Sequence, residues 1–294
     1  MKEYYFIINP KSGSGKRQKS IDLINEVFNK KNIRYQIKFT EYAGHAIEIA
    51  RSVCNNENYI VVAVGGDGSV NEVAQGLMGG KSSMGILPQG SGNGLARHLK
   101  IPMATQGALE VLLSGKSITM DAGTFNGNPF FVTCGIGFDA EVSYNFSKRT
   151  TRGLVGYVKE SVALYPTYQS KKYRIEANGK SVENEAFSIT VANASQYGNE
   201  AVIASNASVS DGLLDLCVIK KYPKIFGPQM GIRMFMKNLH NSKYFVGTPT
   251  KEVRIKNCNN ELECHGHVDG ESVVTQFPIE VKIIPKVLNI VVPN

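Results

Sequence analysis

Tyr59-Ile60-Val61-Val62-Ala63-Val64-Gly65-Gly66-Asp67-Gly68-Ser69-Val70-Asn71-Glu72 is the stretch on which the fold turns. From Tyr59 to Val64 it is apolar without a break, the pattern of a parallel strand covered on both faces. Past the glycines, Val70, Val73, Ala74 and Leu77 recur at helical spacing, so the unit reads strand, glycine loop, helix. The same unit precedes it: an apolar run over residues 4–8 stops at Asn9, and after a Gly/Ser loop Ile21, Ile24, Val27 and Phe28 recur with helical period. A short strand at Gly85 to Leu87 follows, with helical patterns from Ala46 to Val53 and Ala108 to Leu113. Strands alternating with helices over the first 120 or so residues predict a doubly wound α/β domain.

After Asp121 the texture changes to period-2 segments separated by Asn126-Gly127 and Asn178-Gly179, both strong hairpin signals. Strands are expected at 129–134, 172–177, 186–192, 213–219, 251–256, 261–268 and 278–284, with helices near 153–164 and 228–240. Together they predict an antiparallel β-sandwich over residues 123–286, following an α/β domain over 1–122; a last strand at 287–292 could join either sheet. The active site is expected in the cleft between the domains and at strand carboxyl ends.

A chain of 294 residues has room for two cores, and 42% hydrophobic with 20% charged residues is ordinary globular composition. The apolar runs are strand-sized, so no bilayer-spanning segment is expected. Five scattered cysteines, an odd number, argue against a disulfide framework and for a reducing cytoplasm. The net charge of +8 selects anionic partners, or serves only to keep the chain soluble.

Three loops carry the chemistry. Asn9-Pro10-Lys11-Ser12-Gly13-Ser14-Gly15-Lys16 joins a strand to a helix and offers backbone N–H groups and a positive helix terminus to an anion. It is not a Walker A loop: Pro10 stands where the first Gly belongs, and Arg17 follows Lys16 where Ser or Thr belongs. In the second loop, Gly65 and Gly66 allow close backbone approach to a ligand, and a carboxylate at Asp67 beside phosphates calls for a cation such as Mg²⁺. The third, Pro88-Gln89-Gly90-Ser91-Gly92-Asn93-Gly94-Leu95-Ala96-Arg97, again follows a strand and taken alone is a flexible loop.

At these loops, in order and spacing, the chain resembles the diacylglycerol kinase catalytic-domain superfamily, which includes bacterial lipid kinases, sphingosine kinases and ceramide kinases. The likeness runs on through Thr40 and Gly44-His45-Ala46, Gly137-Phe138-Asp139-Ala140, Asp211-Gly212-Leu213-Leu214 and Asp269-Gly270-Glu271; GGDG alone is shared with NAD kinases and 6-phosphofructokinases. The resemblance implies an ATP-dependent kinase of a lipid hydroxyl, on diacylglycerol or a sphingoid-type lipid, working from the cytoplasm with transient peripheral membrane association. It implies that Asn9, Pro10, Lys11, Ser12, Gly13, Thr40, Gly65, Gly66, Asp67, Gly68, Ser69, Val70, Asn71 and Ser91 contact ATP, and that Asp67, with Asp121, organises Mg²⁺. It makes Glu271 the general base, with Asp269 beside it, a role suited to a carboxylate near an attacking hydroxyl. A structural Mg²⁺ would lie on Asp211 and the carbonyls of Ser208 and Leu213, and Asp139 would hold the lipid. Asn93-Gly94 stands where many bacterial members have Asn-Asp, a departure that looks more like sphingosine kinases. Nucleic acid is not expected as a partner, and a homodimer is compatible with the sequence.

Other readings stay open. Asp269 to Glu271 also fits a plain hairpin turn, and the chain also fits a GGDG kinase of a soluble substrate or a non-catalytic lipid- or nucleotide-binding protein. Cys258, Cys264, His265 and His267 lack the spacing of a zinc knuckle. Met230, Met234 and Met236 with Phe226 and Phe235 are read as core before membrane surface. Lys148-Arg149 with Arg152, and Lys220-Lys221 with Lys224, fit anionic headgroups or a solvated face equally.

Overall fold

Burial of the apolar runs organises the first part of the chain. In this computed structural model, which describes residues 2–10, 17–149 and 153–294, the chain divides into Met1–Met120 with Lys286–Asn294, and Asp121–Pro285. In the first unit, β1 (Glu3–Ile8), β2 (Tyr35–Phe39), β3 (Tyr59–Gly65) and β4 (Ser83–Pro88) form a parallel sheet in the order β4-β3-β1-β2. Residues 286–292 extend it beyond β4, with Asn289 opposite Ser83 in parallel register. Phe6, Ile7 and Ile8 of β1 and Ile60, Val61, Val62 and Val64 of β3 are buried, each worth about 1.5–3 kcal/mol in removed apolar surface. The crossovers are α1 (Arg17–Lys30), α2 (His45–Ser52), α3 (Asp67–Leu77), α4 (Gly94–His98) and α5 (Thr105–Ser114). Each turns the periodic residues inward: Ile24 and Phe28 of α1, and Val70, Val73, Ala74 and Leu77 of α3, are buried.

The second unit holds the antiparallel sandwich. Its elements are β5 (Lys116–Phe125, entering from the first unit), β6 (Asn128–Phe130), β7 (Thr133–Gly137), α6 (Phe138–Ser147), α7 (Leu154–Leu164), β8 (Lys171–Ala177), β9 (Lys180–Ala192), β10 (Gln196–Gly198), β11 (Ala201–Val202) and β12 (Leu214–Lys220). Then come α8 (Gly227–Phe235), β13 (Phe245–Thr250), β14 (Glu252–Asn257), β15 (Glu263–Val268), β16 (Glu271–Gln276) and β17 (Ile279–Val292), whose end is the strand already met in the first unit. The strand order is β16-β15-β7-β9-β8-β14-β17, with β12 and then β13 beside β9, and β5 and then β6 beside β17. Phe125, Phe130, Ile136, Ile189, Leu214, Ile255 and Ile279 meet in the main core, and a smaller core gathers Cys217, Ile219, Met230 and Leu239 under α8.

Asn126-Gly127, Asn178-Gly179 and Asp269-Gly270 each have positive φ at both residues, the two-residue turn whose twist matches that of its strands. The expected strand 129–134 divides in two, because Phe130 pairs toward β5 while Thr133 pairs with β9. The expected strands 278–284 and 287–292 are one, β17, and the expected helix 228–240 ends at Phe235, beyond which Lys237 has φ 57°. The stretches β2, α4, β5, α6, β10, β11, β13 and β16 were not expected as elements.

Candidate active site

The strand order sets the carboxyl ends of β4, β3, β1 and β2 in a row, and the loops leaving them carry the residues expected to meet nucleotide. The Asn9 N–H donates to the Val64 carbonyl at 3.4 Å, and the Thr40 N–H to Ile8 at 3.0 Å. The Gln89 N–H donates to Gly65 at 2.8 Å. Asn9, Pro10, Thr40, Gly65 to Asn71 and Ser91 are thereby gathered at one end of the sheet; Lys11, Ser12 and Gly13 lie outside the described residues, as does Arg152. The first N–H groups of α3 have no intrahelical acceptor and face this end.

Close packing holds the second and third loops together. A Cβ on Gly90 would stand 2.6 Å from the Gly66 Cα, and one on Gly92 would stand 2.5 Å from Asp67 Oδ2. Asp67 fastens the same contact: its Oδ2 accepts the Asn93 N–H at 2.9 Å and its Oδ1 the Gly94 N–H at 2.7 Å, at the head of α4. Burial pushes the Asp67 carboxyl above the usual carboxylate range, against the lowering effect of these amides and of Arg97. Asn93 sits buried with φ 52°, its side chain bonded to both the N–H and the carbonyl of Gly90. Because Gly94 meets Asp67 through its N–H, the Asn-Gly departure leaves this contact intact. Glu72, whose role the sequence does not announce, accepts the Gly44 N–H at 3.0 Å and the Ala46 N–H at 3.3 Å, capping α2. A carboxylate one helical turn and a half into α3 is visible in the motif, but its partners at the head of the neighbouring helix α2 are not.

In the second unit Asp139 stands in the first turn of α6 with its side chain 12% exposed. Its Oδ2 accepts from Tyr197 Oη at 2.8 Å and from Thr190 Oγ1 at 3.1 Å, and lies 3.1 Å from His267 Nε2. Burial raises the Tyr197 hydroxyl well above its ordinary value, with the Asp139 charge adding to it. His265 is placed otherwise, paired with Glu141 at 2.8 Å and stacked on Tyr144.

Asp269 lies in the turn between β15 and β16. Its Oδ2 accepts the Phe131 N–H at 3.0 Å, and its Oδ1 accepts those of Val132 and Thr133 at 2.8 and 3.1 Å. Glu271, directly after the turn and opposite Val268, is exposed. Asp121 is wholly buried, and its Oδ2 accepts the Gly212 N–H at 2.8 Å while its own N–H donates to Val209, so its carboxylate secures the loop that holds Ser208, Asp211 and Leu213. Within that loop Asp211 Oδ1 accepts the Leu213 N–H at 3.0 Å. Asp215 nearby is raised by burial and by the Asp211 charge.

An α/β unit with glycine loops at adjacent strand ends, followed by a β-sandwich with an Asp-Gly-Glu hairpin, defines a class of two-part proteins. Residues 3–125 match the diacylglycerol kinase catalytic domain, and residues 132–292 match the YegS C-terminal NAD kinase beta sandwich-like domain. The chain belongs to the diacylglycerol kinase family in which these two domains are joined. It is 28% identical to diacylglycerol kinase of Bacillus subtilis (strain 168), across 92% of this chain and 90% of that one. With diacylglycerol kinase of Staphylococcus aureus (strain MRSA252) it is 29% identical, over 73% and 70% of the two chains. In fold it is similar to the crystal structure of a diacylglycerol kinase from Bacillus anthracis (str. Sterne), with TM-score 0.76 at 21% identity, covering 99% of this chain and 96% of that one.

Proposed function

We propose that this chain is an ATP-dependent lipid kinase that phosphorylates the hydroxyl of a neutral glycerolipid such as diacylglycerol. The observation that carries the reading is the joining of the two glycine loops through Asp67, which keeps the N-terminus of α3 open at the strand ends while leaving no room for side chains at Gly90 and Gly92. Free N–H donors at such a terminus suit phosphate oxygens, with Asn9, Gly65 to Asn71 and Ser91 around them. The residues also fit Mg²⁺: three backbone amides leave one of the four lone-pair sites of the Asp67 carboxylate for a cation, and a cation there would offset the burial that disfavours the charged carboxylate. Mg²⁺, when bound, supplies neutralisation of phosphate charge.

In this reading Glu271 takes the proton of the lipid hydroxyl, as an exposed carboxylate held directly after a rigid turn can. Asp269 positions that turn, since three backbone amides occupy its oxygens. Asp139 is engaged by Tyr197, Thr190 and His267, which favours a neutral hydroxyl over the ammonium of a sphingoid base as its further partner. The test is purified protein with Mg²⁺, γ-labelled ATP and a panel of diacylglycerol, ceramide and sphingosine in mixed micelles. Label extracted with diacylglycerol is the expected result; sphingosine labelled in preference overturns the assignment of Asp139. Label confined to the aqueous phase would make this a kinase of a soluble substrate, and no label at all a binding protein.

A further inference from the structure

The basic charge of this chain is not spread over its surface. Between Leu216 and Lys251 there is no Asp or Glu, while Lys220, Lys221, Lys224, Arg233, Lys237, Lys243 and Lys251 all fall there. Seven of the net +8 charges therefore sit in 36 residues, and the other 258 residues sum to +1. Two of the seven meet acids from elsewhere in the unit, Lys221 with Glu185 at 2.7 Å and Lys237 with Glu200 at 3.9 Å, both as exposed pairs.

The same segment presents apolar side chains to solvent. Met230 and Met234, four apart on α8, turn into the core beside Cys217, Ile219 and Leu239. On the outer face Ile232, Phe235 and Met236, at the three- and four-residue spacing that shares one side of a helix, are 57%, 52% and 66% exposed, and Ile225 in the turn before α8 is 83% exposed. A surface helix with a dry underside normally shows solvent a polar face. Here the outer face is apolar as well, with Arg233 on α8 itself, Lys224 in the turn before it and Lys237 directly after it, whereas Lys251 lies at the far end of the β12–β13 ladder.

We propose that the segment from Lys221 to Lys243, centred on α8, is a docking surface for an anionic lipid bilayer, with Ile225, Ile232, Phe235 and Met236 entering the interface and Lys221, Lys224, Arg233, Lys237 and Lys243 meeting headgroups. Apolar side chains ringed by basic ones are what an interfacial element requires, since burial of the first and attraction of the second add. A second copy of this chain does not fit the same face. A two-fold contact would set the cations of one copy against those of the other, and the acids that meet this segment, Glu185 and Glu200, are already paired within the chain.

The surface is tested by co-sedimentation with vesicles of phosphatidylcholine alone and of phosphatidylcholine with phosphatidylglycerol, without nucleotide. Binding needs no turnover, so its result stands apart from the kinase assay in micelles. Wild-type protein is expected to pellet with anionic vesicles at low salt and to release as salt rises, because surface attraction decays over about 8 Å at physiological ionic strength. Ile232→Ser with Phe235→Ser and Met236→Ser should lower partitioning on the order of tenfold, and Lys224→Glu with Lys237→Glu by a similar factor. Both variants change exposed side chains, and an unchanged thermal melt verifies their folding. Leu262→Ser, at an apolar residue 81% exposed outside this segment, is the control and should bind as wild type. Equal binding to neutral vesicles, or full binding by the α8 variants, overturns the proposal, as does a change of oligomeric state in those variants with vesicle binding retained.

Discussion

Two carboxylates in one hairpin, two residues apart, meet opposite surroundings. Asp269 takes three backbone N–H groups and Glu271 stands exposed, so their substitution should separate folding from turnover. Glu271→Gln keeps size but cannot accept a proton; kcat on the best lipid should fall by about 10²–10⁴ with ATP affinity retained. Asp269→Ala leaves three amides without their acceptor and should cost about 1–3 kcal/mol or more of stability, read as a lowered melting temperature. A Glu271→Gln enzyme of near wild-type turnover would pass the proton to another group. Asp67 gives a pH signature. Its folded value lies above 3.8, so the native state holds the proton more tightly than the unfolded chain. Its contribution to stability is complete below 3.8 and declines as pH rises through the raised value. The melting temperature of wild type relative to Asp67→Asn should therefore fall over that rise, and a difference constant with pH would remove burial as the governing effect.

Among elements, the pair of loops after β3 and β4 is the sharpest case for a graded test. A Cβ on Gly66 would meet the Gly90 Cα at 3.4 Å, an ordinary contact, whereas one on Gly90 would meet Gly66 at 2.6 Å. Gly66→Ala should fold normally and bind ATP less well by calorimetry; Gly90→Ala should force the loops apart and lose both stability and ATP binding. Equal behaviour of the two would mean that loop separation does not govern the site. These loops were legible from sequence because each follows an apolar run and precedes a helical period, signals that lie within a dozen residues. β16 was not, since Glu271, Ser272, Val273, Val274, Thr275 and Gln276 form no clean alternation and earn strand geometry only by pairing with β15. β17 was read as two strands because Pro285, with Lys286 at φ 53°, marks a break in the pattern that the backbone passes through. The caps supplied by Asp67, Glu72 and Asp121 join segments 26 to 91 residues apart, and side-chain-to-amide bonds over such spans leave no periodic trace. The apolar outer face of α8 was hidden for a related reason: Met230 and Met236 look alike in sequence, and only the position of the smaller core separates the buried one from the exposed one.

For the molecule as a whole, the first unit is discontinuous in sequence. Leu288, Ile290, Val291 and Val292 are buried there, beside β4, and each contributes about 1.5–3 kcal/mol of burial. A chain ending at Pro285 should therefore lose the cooperative melt of the first unit and expose the β4 edge, seen as early proteolysis of residues 1–120 with 121–285 still resistant. Survival of a protease-resistant first unit in that truncation would show the strand to be dispensable. The arrangement also has a bearing on how the protein comes off the ribosome. Its first 120 residues emerge well before their closing strand, a gap of roughly 8–33 s at ordinary elongation rates. During that interval the nascent parallel sheet carries an unpaired β4 edge, and the sandwich is itself completed only when β17 emerges at the interval's end. One strand thus closes both units, and the half made first waits longest with an open sheet edge.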